Sequence, residues 1–161
     1  MKRKIKKRYS AIILVIALII FGYELYQDMY VIPVPIAENE IQLTKCVDGD
    51  TAHFTKIGKT RFLFIDTPES TNKIEPYGKQ AADFTCNMLE NAQQITYEYD
   101  GPIKDKYDRT LAWIFVDGEL LQELIAKEGY VKKFYQYQDK YKYELRIRRN
   151  LNDKFGIFEG K

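Results

Sequence analysis

The stretch IQLTKCVDGDTAHFTKIGKTRFLFID, from Ile41 to Asp66, contains three runs of residues that favour β-strands. The first run is Ile41 to Val47, the second is Thr51 to Lys56, and the third is Thr60 to Ile65. The turn DGD separates the first two runs, where Gly49 is free to adopt a positive φ, and KIGK separates the last two. Because short turns join consecutive antiparallel strands, we predict a β-meander here.

The sequence beyond this meander predicts two further strands and three helices. QITYEYD and RTLAWIFVDG are strand-like, and the apolar spacing of YGKQAADFTCNMLENA predicts a helix from Gly78 to Asn91. ELLQELIAKEG is amphipathic and should end at Gly129 in the C′ position. In YKYELRIRRNLNDKFG we predict a last helix with Leu145 and Leu151 inward and its arginines in solvent. The fold class is therefore α+β, a five-stranded, partly closed OB-fold β-barrel with three helices.

The first thirty residues predict a targeting segment. The basic stretch MKRKIKKRYS precedes AIILVIALIIF, an uninterrupted apolar run. Such a run suits a signal peptide, but no small-x-small cleavage site follows closely, so we favour an uncleaved N-terminal membrane anchor over secretion after cleavage. The alternative is that the apolar run is a buried helix of a soluble domain, but the six basic residues beside it disfavour this. Both an uncleaved anchor and a cleaved signal peptide would place the rest of the chain outside the cytoplasm. We predict an N-terminal hydrophobic signal or anchor helix in 1–30, a proline-containing linker in 31–39 and one domain in 40–161.

Charge excludes a globally basic surface for nucleic acid. The chain carries 25 Lys and Arg residues and 23 Asp and Glu residues, for a net charge of +2. Six of the basic residues lie in the first nine positions, which leaves 25 − 6 = 19 basic against 23 acidic residues in the remainder. Contacts with phosphate must therefore come from a local patch or a bound cation.

The two cysteines, Cys46 and Cys86, form no CxxC pair. We expect two isolated, largely buried side chains. A single disulfide is the alternative if the domain is extracellular.

Carboxylates cluster at one end of the predicted meander. If strands two and three pair as a hairpin, Asp50 just before strand two and Asp66 just after strand three fall at the same end. Two carboxylates there would repel each other unless a cation lies between them. Oxygen ligands without histidine or cysteine indicate Ca²⁺ or Mg²⁺, and the Thr67 carbonyl would add a ligand. The alternative is a pair of ordinary turn aspartates.

Two arginines and a glutamate extend this cluster. Arg61 begins the strand that ends at Asp66, Arg109 precedes strand five, and Glu69 follows Pro68. Phosphodiester hydrolysis needs guanidinium groups for the charged transition state and a carboxylate that orients or deprotonates water. A fully extended strand would place Arg61 and Asp66 about 17 Å apart, so one shared site requires that the strand bends sharply or that the Arg61 side chain reaches across.

Six ordered blocks now resemble the staphylococcal nuclease (thermonuclease) family. They are VDGDT, RFLFIDTPE, YGKQAADFT, DKYDRTLAWIFVDG, LIAKEGYVKKFYQY and FGIF, and they cover about Ile41 to Phe158. The resemblance implies an OB-fold, Ca²⁺-dependent nuclease that acts on DNA and RNA and leaves 3′-phosphates. We also predict a monomer.

The same resemblance implies a role for each matching residue. Asp50, Asp66 and the Thr67 carbonyl would bind the metal, Arg61 and Arg109 the phosphate, and Glu69 would be the general base. The nucleotide pocket would be lined by Lys106, Tyr107, Tyr135 and Tyr137. The chain departs from the family at Asp108, where glycine is usual, and in a shorter loop after Glu69.

Two other functions compete with this reading. A non-catalytic nucleic-acid-binding module on the same barrel would lack some of the metal carboxylates, and here the set is intact. A carbohydrate- or peptide-binding OB domain would leave the carboxylates and arginines unexplained.

Overall fold

The computed structural model describes residues 15–23 and 38–160. The chain divides into two units, Met1–Ile36 and Ala37–Lys161. In the first unit, residues 15–23 are helical with exposed side chains. The other residues of the predicted targeting segment, and 31–37 of the predicted linker, lie outside the described residues. Over the described ranges, none of the helices combines the length and the apolar character that a bilayer crossing needs.

The second unit is built, over residues 38–160, from short strands and three helices. The helices are α1 (Gly78–Asn91), α2 (Leu121–Lys127) and α3 (Glu144–Arg149). The strands are β1 (Glu40–Ile41), β2 (Leu43–Cys46), β3 (Thr51–Phe54), β4 (Gly58–Phe62), β5 (Phe64–Asp66), β6 (Ile95–Glu98), β7 (Thr110–Val116), β8 (Glu119–Leu120) and β9 (Lys133–Tyr135).

The main sheet curls so that its two ends meet. Its strand order is β1-β6-β7-β4-β3-β2, with β8 also paired to β7. The pairs are antiparallel except β4 with β7. Only Gln42 separates β1, at one end of this order, from β2 at the other. A single residue cannot span an open sheet, so the sheet must close on itself as the predicted barrel requires.

The central strand of this closed sheet, β7, is almost entirely buried. In β7, six of the seven residues of TLAWIFV are buried, and Trp113 is fully enclosed. A strand covered on both faces reads as a continuous apolar run rather than an alternating one. The core that surrounds it draws on the meander, on α1 and on α2.

The prediction of five strands was wrong, because two predicted strands are each broken and two more short strands form, β8 at the start of the predicted second helix and β9 outside the predicted elements. The run Ile41 to Val47 is interrupted at Gln42, and the run Thr60 to Ile65 is interrupted at Leu63. At the second break Phe64 has a φ of 70°, a left-handed conformation that no regular strand contains. The chain turns there, and β5 leaves the main sheet to pair with β9.

The helices agree with the sequence in part. Helix α1 has the predicted bounds, and α2 is followed by Gly129 at φ 82°. The last helix is shorter than predicted, and the inward placement of Leu145 was wrong, because Leu145 is 65% exposed and Ile147 is fully buried. Residues two apart on a helix lie about 200° apart around its axis, so both cannot face the core.

The cysteines are not isolated, which corrects the favoured expectation. Cys46 at the end of β2 and Cys86 in α1 form a disulfide across 40 positions, with their Cα atoms 5.8 Å apart. Sequence order alone does not show this proximity, since it arises from the packing of α1 against β2 in the folded domain.

Reduction of this disulfide should lower stability. A closed loop of this length is expected to contribute about 4 kcal/mol by restricting the unfolded chain. Urea denaturation with and without dithiothreitol measures the difference. A variant carrying Cys46→Ser and Cys86→Ser should be insensitive to the reductant, and an unchanged midpoint for the wild type would contradict the prediction.

Candidate active site

The hairpin of β3 and β4 brings Asp50 beside Arg61. Thr51 pairs with Arg61 in the antiparallel register, and the Phe62 amide donates to the Asp50 carbonyl at 2.8 Å. The predicted hairpin therefore forms, and Asp50 lies at the end from which β5 departs.

The break after β4 brings Asp66 to the same place. Because the chain turns at Phe64, the Arg61 guanidinium reaches both aspartates: its Nη1 contacts Asp50 Oδ1, and its Nη2 donates to Asp66 Oδ1. Of the two expected ways to one shared site, the bend is therefore present, as the left-handed residue Phe64 at the start of β5.

Thr67 ties the end of β5 to the DGD turn. Its amide donates to Asp50 Oδ2 at 2.7 Å, and its hydroxyl lies 3.1 Å from the same oxygen. Gly49 is not among the glycines with positive φ. Its lack of a side chain serves close packing instead, since a Cβ there would lie 2.5 Å from Thr67 Oγ1. Thr85 of α1 completes the support by donating to the Gly49 carbonyl at 2.8 Å.

These oxygens suit a hard divalent cation. The Oδ1 atoms of Asp50 and Asp66 converge on one positive group, Arg61, and Asp50 is buried with 4% exposure. Across residues 15–23 and 38–160, no three His, Cys, Asp or Glu side chains are placed together to hold a metal ion. The predicted ligands are two carboxylates and the Thr67 carbonyl, a donor set of oxygens alone that fits Ca²⁺.

Asp48 belongs to the site, although sequence reasoning did not assign it a role. Its Oδ1 accepts from the Asp50 amide at 3.1 Å. Burial raises the pKa of Asp48, while the nearby charges of Arg61 and Arg109 act in the opposite direction. The sequence signal for such a role was the position of Asp48 in DGD, two residues before the predicted ligand Asp50.

Arg109 is held by Asp105, a second residue that sequence reasoning missed. Asp105 Oδ2 accepts from Arg109 Nε at 2.8 Å and lies 2.7 Å from its Nη2, and Oδ1 accepts from the Arg109 amide at 3.0 Å. Burial opposes ionisation, but the hydrogen bonds from Arg109 and Tyr107 outweigh it and lower the pKa of Asp105. The structure therefore places the Arg109 guanidinium on the Asp105 carboxylate.

The predicted nucleotide-pocket residues lie on two separate segments, as the cation–aromatic pair Lys106–Tyr107 and the aromatic pair Tyr135–Tyr137. Tyr107 is 68% exposed, with Lys106 Nζ at 5.0 Å and the Arg109 guanidinium at 5.5 Å from its ring centroid. The rings of Tyr135 and Tyr137 lie 5.2 Å apart. Burial raises the pKa of Tyr137, while the charges of Arg61 and Arg109 act to lower it. The exposed rings of Tyr107 and Tyr135 lie next to cations, an arrangement that suits stacked bases and phosphates.

Asp108 adopts the left-handed conformation that the usual glycine would take. Its φ is 62°, and aspartate tolerates this region better than most residues. Its carboxylate contacts Lys104 Nζ at 2.5 Å. The extra negative charge beside Arg109 is thus partly neutralised by a neighbouring lysine.

Glu69 is exposed at the end of the Asp66–Glu69 segment. Its amide and carbonyl are engaged by Glu75, six residues on. A carboxylate in contact with solvent can accept a proton from water.

The chain resembles known nucleases in sequence. The family model described as "Staphylococcal nuclease homologue" matches residues 59–153, which include the Asp66–Glu69 segment and both arginines but not Asp50. The thermonuclease of Staphylococcus hyicus is 40% identical over 116 residues, 68% of this chain and 68% of that protein. The thermonuclease of Staphylococcus intermedius is 41% identical over 105 residues, 61% of this chain and 62% of that protein. Endonuclease YncB of Bacillus subtilis (strain 168) is 36% identical over 110 residues, 64% of this chain and 52% of that protein.

Proposed function

Since this chain belongs to the staphylococcal nuclease family and is a hydrolytic nuclease, we propose that it is a Ca²⁺-dependent phosphodiesterase of DNA and RNA that leaves 3′-phosphates. The observation that carries the proposal is the convergence of Asp50 and Asp66 on the Arg61 guanidinium. Glu69, in the same short segment as Asp66, lies exposed to water.

Each group has a distinct task in the proposed reaction. The exposed Glu69 carboxylate accepts a proton from water, whose oxygen then bonds to phosphorus. The P–O5′ bond breaks, the 5′-oxygen takes up a proton from solvent, and the phosphate remains on the 3′-oxygen. Arg61 and Arg109 donate to the phosphoryl oxygens as their negative charge increases. Lys106, Tyr107, Tyr135 and Tyr137 orient the substrate through charge and stacking.

Asp50, Asp66 and the Thr67 carbonyl would hold the cation. Bound there, Ca²⁺ would supply positive charge that polarises the phosphoryl oxygen. Both carboxylates contact the Arg61 guanidinium, so they lie close enough to share one positive group.

We also propose an oligomeric state and a cellular location for the protein. We propose a monomer whose closed sheet is an OB-type barrel. The catalytic domain acts outside the cytoplasm, either tethered to the cell membrane by the N-terminal segment or secreted. The Cys46–Cys86 disulfide supports this location, because disulfides persist in oxidising compartments.

One experiment tests the reaction and its cation together. Purified protein is incubated with plasmid DNA or with RNA in Ca²⁺, in Mg²⁺ and in EGTA, and the ends of the products are identified. We expect cleavage to 3′-phosphates in Ca²⁺ and none in EGTA. Cleavage in EGTA would remove the calcium assignment. Intact DNA and RNA under all three conditions would remove the enzyme assignment and favour a nucleic-acid-binding module.

A further inference from the structure

The short segment from Asp66 to Glu69 carries two proposed metal ligands and the proposed general base. Its conformation therefore decides whether the cation and the attacking water are aligned. Two residues outside the segment, Glu75 through its side chain and main chain and Lys132 through its main-chain amide, hold its two ends.

Glu75 holds the end that carries Glu69. The Glu69 amide donates to Glu75 Oε2 at 3.0 Å, and the Glu75 amide donates back to the Glu69 carbonyl at 2.9 Å. Both main-chain groups of Glu69 are thus bound by one residue across an exposed loop. With these two bonds made, the Glu69 main chain has little freedom to rotate.

Lys132 holds the other end and is bound to Glu75. Its amide donates to the Asp66 carbonyl at 2.7 Å, and its Nζ lies 2.7 Å from Glu75 Oε1. A second carboxylate, Glu159, lies 3.7 Å from the same Nζ. The side chains of Lys132 and Glu75 are only 20% and 24% exposed, so water screens this pair less than a fully exposed one.

The ionised states of the pair agree with this geometry. The hydrogen bond from Lys132 lowers the pKa of Glu75, and the hydrogen bond to Glu75 raises the pKa of Lys132. Both side chains are therefore charged at neutral pH.

Helix α1 closes a third side of the segment. A Cβ at Gly78, the first residue of α1, would clash with the Glu69 carbonyl. The segment is thus held by the helix start, by Glu75 and by Lys132.

We propose that Glu75 and Lys132 are positioning residues of the nuclease, which fix the main chain of Asp66–Glu69 so that the Glu69 carboxylate stays aligned with the metal ligands. This inference rests on the proposed function, since it assigns the pair to that same site. Neither side chain takes part in the chemistry itself.

The test uses Glu75→Ala, Glu75→Gln and Lys132→Met in the full chain. We expect Glu75→Ala to lower kcat on DNA by about 10- to 100-fold, because misplacement of a reacting group by about 1 Å can cost that much. The KM should change little, since the substrate-binding side chains are not moved. Glu75→Gln keeps an oxygen that accepts from the Glu69 amide, so it should recover part of the rate. Lys132→Met should fall between wild type and Glu75→Ala.

A matched ion pair provides the control. Lys154 Nζ and Glu128 Oε2 also lie 2.7 Å apart, but neither residue belongs to the segment or to the proposed site. Lys154→Met and Glu128→Gln should therefore leave kcat unchanged.

Hydrogen–deuterium exchange separates the inference from the function on which it rests. Amides in Thr67 to Ser70 should exchange faster in Glu75→Ala and Lys132→Met than in wild type, and not in the control variants. Unchanged exchange would overturn the holding role. Faster exchange with unchanged kcat, or a loss confined to KM, would overturn the positioning role. A wild-type protein that cleaves no nucleic acid would overturn the proposed function, while the exchange result would still report on the segment.

Discussion

Glu69→Gln is expected to lower kcat by about 10²- to 10³-fold, because an amide cannot accept the proton from water that general base catalysis requires. Glutamine has nearly the same size as glutamate. The main-chain amide and carbonyl of residue 69 can therefore keep their hydrogen bonds to Glu75. Folding and Ca²⁺ affinity should therefore be unchanged. Single-turnover cleavage of a short DNA measures the rate, and thermal unfolding measures the stability of the fold.

Glu90→Gln is the control for this variant. Glu90 is an exposed glutamate on α1, so its substitution removes the same charge from a surface outside the proposed site. Equal rates for Glu69→Gln and wild type would show that another group activates the water.

Arg61→Ala should give the second large loss, for two separable reasons. Removal of a donor to the transition state is expected to lower kcat by about 10²- to 10³-fold. The same substitution removes the positive group between Asp50 and Asp66. Because Asp50 is buried, the Ca²⁺-free variant should also lose about 3–5 kcal/mol of stability, as buried charges do when they lose their partner.

Added Ca²⁺ distinguishes the two reasons. In thermal unfolding, Ca²⁺ should raise the melting temperature of Arg61→Ala more than that of wild type, because the cation restores positive charge between the carboxylates. The rate should stay low in saturating Ca²⁺. Arg149→Ala, at an exposed arginine of α3, should change neither quantity. An Arg61→Ala enzyme with the wild-type rate would remove Arg61 from the proposed mechanism.

Local patterns predicted the elements on which the site is built. The DGD and KIGK turns set the hairpin, and the hairpin register places Asp50 beside Arg61. The bounds of α1 followed from apolar spacing that matches the helical period. These features depend on neighbours a few residues apart, which is the range over which sequence patterns are informative.

Features that depend on the whole fold were not predicted. The turn at Phe64 occurs in an apolar run without glycine, so nothing in the sequence marked the break that joins Arg61 to Asp66. The disulfide links positions 40 apart. Glu75 and Lys132 are 57 apart, and the segment of Lys132 lies beside that of Glu75 because β5 pairs with β9.

The disulfide also has a consequence for survival among proteases. Residues 46–86, the loop that it closes, include the predicted metal ligands, Glu69 and the exposed residues Thr71–Ile74. Exposed polar loops are preferred sites of proteolytic cleavage. A cut at 71–74 would divide the chain but leave both pieces covalently joined through Cys46 and Cys86. An oxidised enzyme nicked there therefore keeps all its site residues in one molecule, whereas the two pieces of a reduced enzyme are held together by noncovalent contacts alone.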